Sequence, residues 1–104
     1  MKQFLITYTF HPEAGTLADW TRQVDDFIRQ LQADAELAGR IRYRCMRATG
    51  TENYYHLAET TDDDAPRLLS ERPYFKHYTE QTKRVSGGSV IVTPLETFAD
   101  SDDG

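Results

Sequence analysis

Residues 40 to 60 read RIRYRCMRATGTENYYHLAET, and this stretch decides the fold. Ile41, Tyr43 and Cys45 alternate with Arg40, Arg42 and Arg44, the period of two that sends neighbouring side chains of a strand to opposite faces. Gly50-Thr51-Glu52-Asn53 supplies turn residues. The alternation then resumes, with Tyr55, Leu57 and Glu59 on one side and Tyr54, His56 and Ala58 on the other. Two strands joined by so short a connection form an antiparallel hairpin.

Helical patterns flank this hairpin on both sides. Upstream, Leu17, Trp20, Val24, Phe27, Ile28, Leu31, Ala35 and Ala38 recur at three and four residues. The stripe predicts an amphipathic helix over about 16 to 38, with Thr16 and Asp19 as a capping-box variant and Gly39 as its stop. Earlier still, residues 2 to 10 alternate as a first strand, with Phe4, Ile6, Tyr8 and Phe10 on one face, and His11-Pro12-Glu13-Ala14-Gly15 breaks it. Downstream, Thr61-Asp62-Asp63-Asp64 places carboxylates where a helix dipole favours them, and Pro66 suits a first turn. Pro73 must interrupt that second helix, which restarts with Phe75, Tyr78, Thr82 and Val85 as its buried stripe. Gly87-Gly88 ends it before a last strand over 89 to 98, where Pro94 marks an edge or a bulge.

The order strand, helix, strand, strand, helix, strand predicts one α+β domain of ferredoxin-like βαββαβ architecture over residues 1–98, with both helices on one face of a four-stranded antiparallel sheet. An acidic tail, 99–104, is expected to be disordered. The first and third strands carry apolar or aromatic residues on both faces, more than a solvated face should hold. A homodimer formed by sheet-to-sheet packing would cover the second face.

Composition narrows the function. The chain has 104 residues, room for one core. With 12 Lys and Arg against 17 Asp and Glu, its net charge is −5, the wrong sign for phosphate-driven nucleic-acid binding or an anionic membrane surface. No apolar run is long enough to span a bilayer. The start of the chain lacks the sections of a signal peptide, and the single cysteine, Cys45, forms no internal disulfide. A cytoplasmic protein is expected. The three histidines stand far apart in sequence, without the short spacings of a metal site.

Two segments resemble the dimeric α/β-barrel superfamily that contains the antibiotic biosynthesis monooxygenases and quinol monooxygenases. Tyr55-His56-Leu57-Ala58-Glu59 is similar to that family's aromatic strand ending in glutamate, and Pro73-Tyr74-Phe75-Lys76-His77-Tyr78 to its proline-led helical segment. The resemblance covers nearly the whole chain as element order. It implies the fold and the dimer more strongly than the reaction. As activity it implies cofactor-independent monooxygenation of a small aromatic, a quinol or polyketide-like phenol. The sequence departs from the family where Thr61 replaces a common Trp, Leu69 a helix His and Tyr74 the usual His after the proline. The positions nearest the haem-degrading constellation are Thr7, Leu69 and Thr79, which argues against haem chemistry.

Such chemistry needs a dry cavity, a base and a fixed donor for a developing oxyanion. His77 and His56 are the candidate bases. Arg44 is the candidate oxyanion donor or phenolate clamp. Trp20, Tyr74 and Tyr78 are candidates for an aromatic wall that binds the substrate. Each also has an ordinary structural role: His77 as a surface residue beside a buried stripe, His56 as a hydrogen-bonded histidine under a helix, Arg44 on a solvated strand face, Trp20 in the helix core. No cofactor and no metal is called for. The rival function is a non-enzymatic small-molecule binder or accessory dimer with the same cavity. An RNA-recognition domain shares the element order, but the third strand lacks the glycine and the basic residue its signature requires.

Overall fold

Strand β1 (Lys2–Thr9) runs through the middle of the sheet, because its two faces offer apolar side chains to both sides. The structure, a computed structural model, describes residues 2–102. A single 3-10 turn (Pro12–Ala14) leads from β1 to α1 (Leu17–Ala33); then come β2 (Arg42–Arg47), β3 (Asn53–Thr60), α2 (Asp64–Glu71), α3 (Pro73–Val85) and β4 (Ile91–Leu95). The strands lie in the order β2-β3-β1-β4, and every pairing is antiparallel. This is the ferredoxin-like α+β architecture that the hairpin and its flanking helices predict, with the second helix divided at Pro73 as expected.

Register assigns the faces. Cys45, His56, Ile6 and Val92 stand side by side across the sheet, and Tyr43, Ala58, Phe4 and Pro94 form the next row. These rows face the helices. Between them and α1, α2 and α3 lies the core, built on Tyr8, Phe10, Trp20, Phe27, Leu31, Leu37, Leu69, Tyr78 and Val85. The opposite face carries Met46, Tyr55, Thr7 and Ile91 in one row and Arg44, Leu57, Leu5 and Thr93 in another. Pro94 is tolerated because β4 is an edge strand.

Several boundaries differ from expectation. Thr16 caps α1 through Asp19 as predicted, but the helix ends at Ala33 and not near 38, because Asp34 turns extended (φ −74°, ψ 110°). Its carboxylate is drawn out of the helix by Arg72 Nε at 2.8 Å and Tyr74 Oη at 2.8 Å. The apolar period runs on past that point because Leu37 is fully buried in the following turn. Arg40 precedes β2 and reaches Asp62, so it does not share the strand face of Arg42 and Arg44. Strand β4 is shorter than 89 to 98, since Ser89 is held in a turn by Ser86. Cys45, which alternation puts on the strand face of Ile41 and Tyr43, is exposed on the edge strand β2. Of the expected tail, Asp103 and Gly104 lie outside the described residues, and Asp102 donates its backbone N–H to Asp100. Among the described residues no helix is long and apolar enough to cross a membrane.

Candidate functional site

His56 lies in the centre of the sheet's helix side, opposite Cys45 on one flank and Ile6 on the other, where only 1% of it is exposed. An imidazole so placed must find its hydrogen-bond partners within the protein. It finds three tyrosines from three other elements. Tyr8 Oη from β1 is 2.8 Å from Nε2, while Tyr43 Oη from β2 and Tyr78 Oη from α3 lie 3.0 and 2.9 Å from Nδ1. Tyr43 and Tyr78 are 3.2 Å apart. Trp20 in α1 completes the cluster by donating Nε1–H to Tyr8 Oη at 3.0 Å.

Aromatic packing fixes these groups. The Tyr78 ring is stacked with Phe27 at 4.1 Å and with Trp20 at 5.8 Å between centroids, and Tyr8 stacks on Tyr54 at 5.5 Å. Burial also sets the charge state. Desolvation pulls the His56 pKa down to about 4, so the ring is neutral at physiological pH. The same cause pushes the Tyr8, Tyr43 and Tyr78 hydroxyls above their ordinary value. The cluster is thus a set of neutral donors and acceptors.

A cavity of about 480 Å³ opens beside it, between the sheet and the α2–α3 pair. Phe4, Ile6, Ala58, Leu69, Phe75 and Val92 give it apolar walls, and Tyr43, Tyr78 and His56 form its polar inner end. Thr79, Thr82 and Lys83 line it from α3. An apolar chamber of this size with a few convergent polar groups is the usual form of a small-ligand site.

Of the candidates read from the sequence, His56 and Tyr78 meet at this cavity. Trp20 does not line it, being 2% exposed and linked to it through Tyr8. His77 is exposed on α3 and absent from the cavity lining. Arg44 lies on the opposite sheet face, paired with Glu59 at 3.0 Å. Tyr74 is turned to Asp34, at the junction of α2 and α3. Tyr8 and Tyr43 were not among the candidates, although the strand alternation put both on the face of His56 once the hairpin and the first strand are paired. Among the described residues no three His, Cys, Asp or Glu side chains converge into a metal site.

This arrangement sits on a known fold. SnoaB from Streptomyces nogalater, a cofactor-independent oxygenase, superposes with a TM-score of 0.77 at 17% identity over 98% of this chain and 97% of its own. The chain has the antibiotic biosynthesis monooxygenase fold. A protein named antibiotic biosynthesis monooxygenase gives a TM-score of 0.68 at 12% identity, covering 95% of this chain and 100% of that one. Rv0793 from Mycobacterium tuberculosis gives 0.75 at 15% identity, covering 97% and 98%. No family model matches the sequence, and no curated protein does. At these identities the likeness is one of fold.

Proposed function

We propose that the cavity binds a small planar aromatic bearing a phenolic or carbonyl oxygen, and that the protein is a cofactor-independent monooxygenase of that compound. The observation that carries this reading is the apolar chamber closed at one end by the Tyr43 and Tyr78 hydroxyls on a neutral His56. Donors preorganised in a water-poor site stabilise a phenolate or enolate oxygen, and such an anion is electron-rich enough to reduce oxygen itself. In the reaction, a ring methylene of an anthrone-like substrate loses two hydrogens and gains one oxygen atom as a carbonyl. The second oxygen atom leaves with those hydrogens as water, and the substrate supplies all the electrons.

His56 has the role of an orienting group here, not of a base: its lowered pKa makes it a poor proton acceptor at neutral pH, and the substrate is oxidised as its anion, with the acidic proton released to solvent. The Tyr43–Tyr78 hydroxyl pair is what meets the substrate oxygen, with one hydrogen to donate to it. The protein acts in the cytoplasm as a homodimer, in which Leu5, Leu57, Tyr55 and Met46 on the open sheet face pack against the same face of a second copy.

A binding protein that holds the same aromatic without turning it over is the second reading. The full engagement of both His56 nitrogens favours it. Oxygen uptake by metal-free protein, measured on hydroquinones and anthrone-like phenols against a heat-denatured blank, decides between them. Uptake above the blank that drops at least ~10-fold in Tyr78→Phe supports the oxygenase. Ligand binding without uptake supports the binder.

A further inference from the structure

Trp20 and Tyr8 do not line the cavity, yet together they fix which way its hydrogen bonds run. The indole Nε1–H is a donor and never an acceptor, so at 3.0 Å the Tyr8 oxygen must accept from it. Tyr8 has one hydrogen of its own, and His56 Nε2 stands 2.8 Å away. A neutral imidazole carries a single ring hydrogen, which leaves two arrangements. If that hydrogen were on Nε2, both Nε2–H and the indole would donate to Tyr8, and the Tyr8 hydrogen would have no acceptor at a residue only 4% exposed. Buried donors without partners are costly and rare. If the hydrogen is on Nδ1, Tyr8 donates to Nε2 and each of these buried donors is matched.

The second arrangement propagates to the cavity. Nδ1–H donates into the pair formed by Tyr78 Oη at 2.9 Å and Tyr43 Oη at 3.0 Å. One of these hydroxyls donates to the other across 3.2 Å. The remaining hydroxyl hydrogen has no acceptor among the described residues, since Nδ1 is already protonated. Both tyrosines line the cavity, so that hydrogen faces the ligand.

We propose that Trp20 and Tyr8 are positioning residues that polarise the chain Trp20, Tyr8, His56, Tyr43/Tyr78 toward the cavity, so that its inner end is a hydrogen-bond donor and selects ligands by an acceptor oxygen. A quinone-type carbonyl or a phenolate satisfies this end. The selection rests on the aromatic-ligand reading above; the polarity rests on the buried groups alone.

Nitrogen-15 NMR of the whole chain separates the two. The ring nitrogens of His56, assigned by their loss in His56→Gln, are expected as a protonated, pyrrole-type Nδ1 and an unprotonated, pyridine-type Nε2. Tyr8→Phe keeps the ring that stacks on Tyr54 and removes the hydroxyl, and Trp20→Phe keeps an aromatic ring and removes the indole donor. Each should shift His56 toward a mixed tautomer, and in Tyr8→Phe the resonance of the single indole N–H should move. A fold defect leaves the wild-type assignment, which is decisive alone, untouched. For selection, 1,4-naphthoquinone is expected to bind wild type at least ~10-fold more tightly than naphthalene, the effect of one hydrogen bond, and the ratio should narrow in Tyr8→Phe. A pyridine-type Nδ1 in wild type, or folded variants with an unmoved tautomer, overturns the polarity. An Nδ1–H tautomer with no preference for the quinone overturns the selection, and with neither compound bound it overturns the aromatic-ligand reading beneath it.

Discussion

His56 shows how one side chain can be readable by position and misread by role. Its place on the strand face with Tyr54 and Ala58 follows from alternation alone. Its partners come from β1, β2 and α3, and nothing local in the sequence says that three tyrosines converge on it. Both it and His77 are candidate bases by residue type; burial lowers the basicity of His56, and His77 is exposed on α3 and absent from the cavity lining. The lowered pKa has a consequence for stability. Between the ordinary value of 6.5 and about 4, the unfolded chain binds a proton at His56 and the folded chain does not. Stability therefore falls as pH drops through that window, by about 3 kcal/mol in all. Urea unfolding at pH 7, 5 and 4 should show this loss in wild type and a smaller one in His56→Gln, the variant isolating His56 from the carboxylates. At the same scale, His77→Ala and Arg44→Ala should leave ligand affinity and any turnover within about twofold of wild type, because neither side chain reaches the cavity; a tenfold loss in either, measured on folded protein, would return that residue to the site.

Among the elements, α2 is the one whose position most affects the cavity, which it lines through Pro66 and Leu69. It is an eight-residue helix anchored at both ends by ion pairs to the connection between α1 and β2. Asp62, just before it, pairs with Arg40, and Arg72, just after it, pairs with Asp34. The Arg72 guanidinium beside Asp34 holds that carboxyl below its usual range. The Asp34 contribution is thus present above the ordinary carboxylate pKa and is lost as pH falls through the lowered one. Arg72→Ala should lower stability by removing this ion pair, although Asp34 keeps its hydrogen bond from Tyr74 Oη, and denaturant unfolding near pH 7 would measure the loss. The break at Pro73 was legible because proline cannot occupy a helix interior. The end of α1 was not, because Ala35, Leu37 and Ala38 prolong an apolar pattern that, beyond Asp34, belongs to turns.

For the whole molecule, element order and alternation sufficed to place four strands and the helices on one side, and the excess of apolar residues on the far face follows from the same alternation. Leu5 and Leu57 are directly paired at the middle of that face, with Ile91, 61% exposed, and Met46, 43% exposed, in the neighbouring row. A face of this character covered by a second copy gives a particle of twice the 12.0 kDa chain mass. Sedimentation equilibrium should find that dimer in wild type and a monomer in Leu57→Asp, which places a charge at the centre of the contact. Because Leu57 and the cavity lie on opposite sides of the sheet, the variant should keep its ligand affinity. A monomeric wild type would overturn the dimer. The cavity itself was not visible in the sequence, since it forms where α2, α3 and four strands fail to fill the space between them.

In the proposed reaction the cavity directs one oxygen atom of O₂ into a bound aromatic with electrons from the aromatic itself. Turnover of an anthrone by metal-free protein under ¹⁸O₂, followed by mass spectrometry of the product and an assay for hydrogen peroxide, tests it most directly. One labelled oxygen in the quinone product, no accumulating peroxide and a fall of at least ~10-fold in both product and uptake in Tyr78→Phe are expected. An unlabelled product, stoichiometric peroxide or turnover no faster than the denatured blank would contradict it.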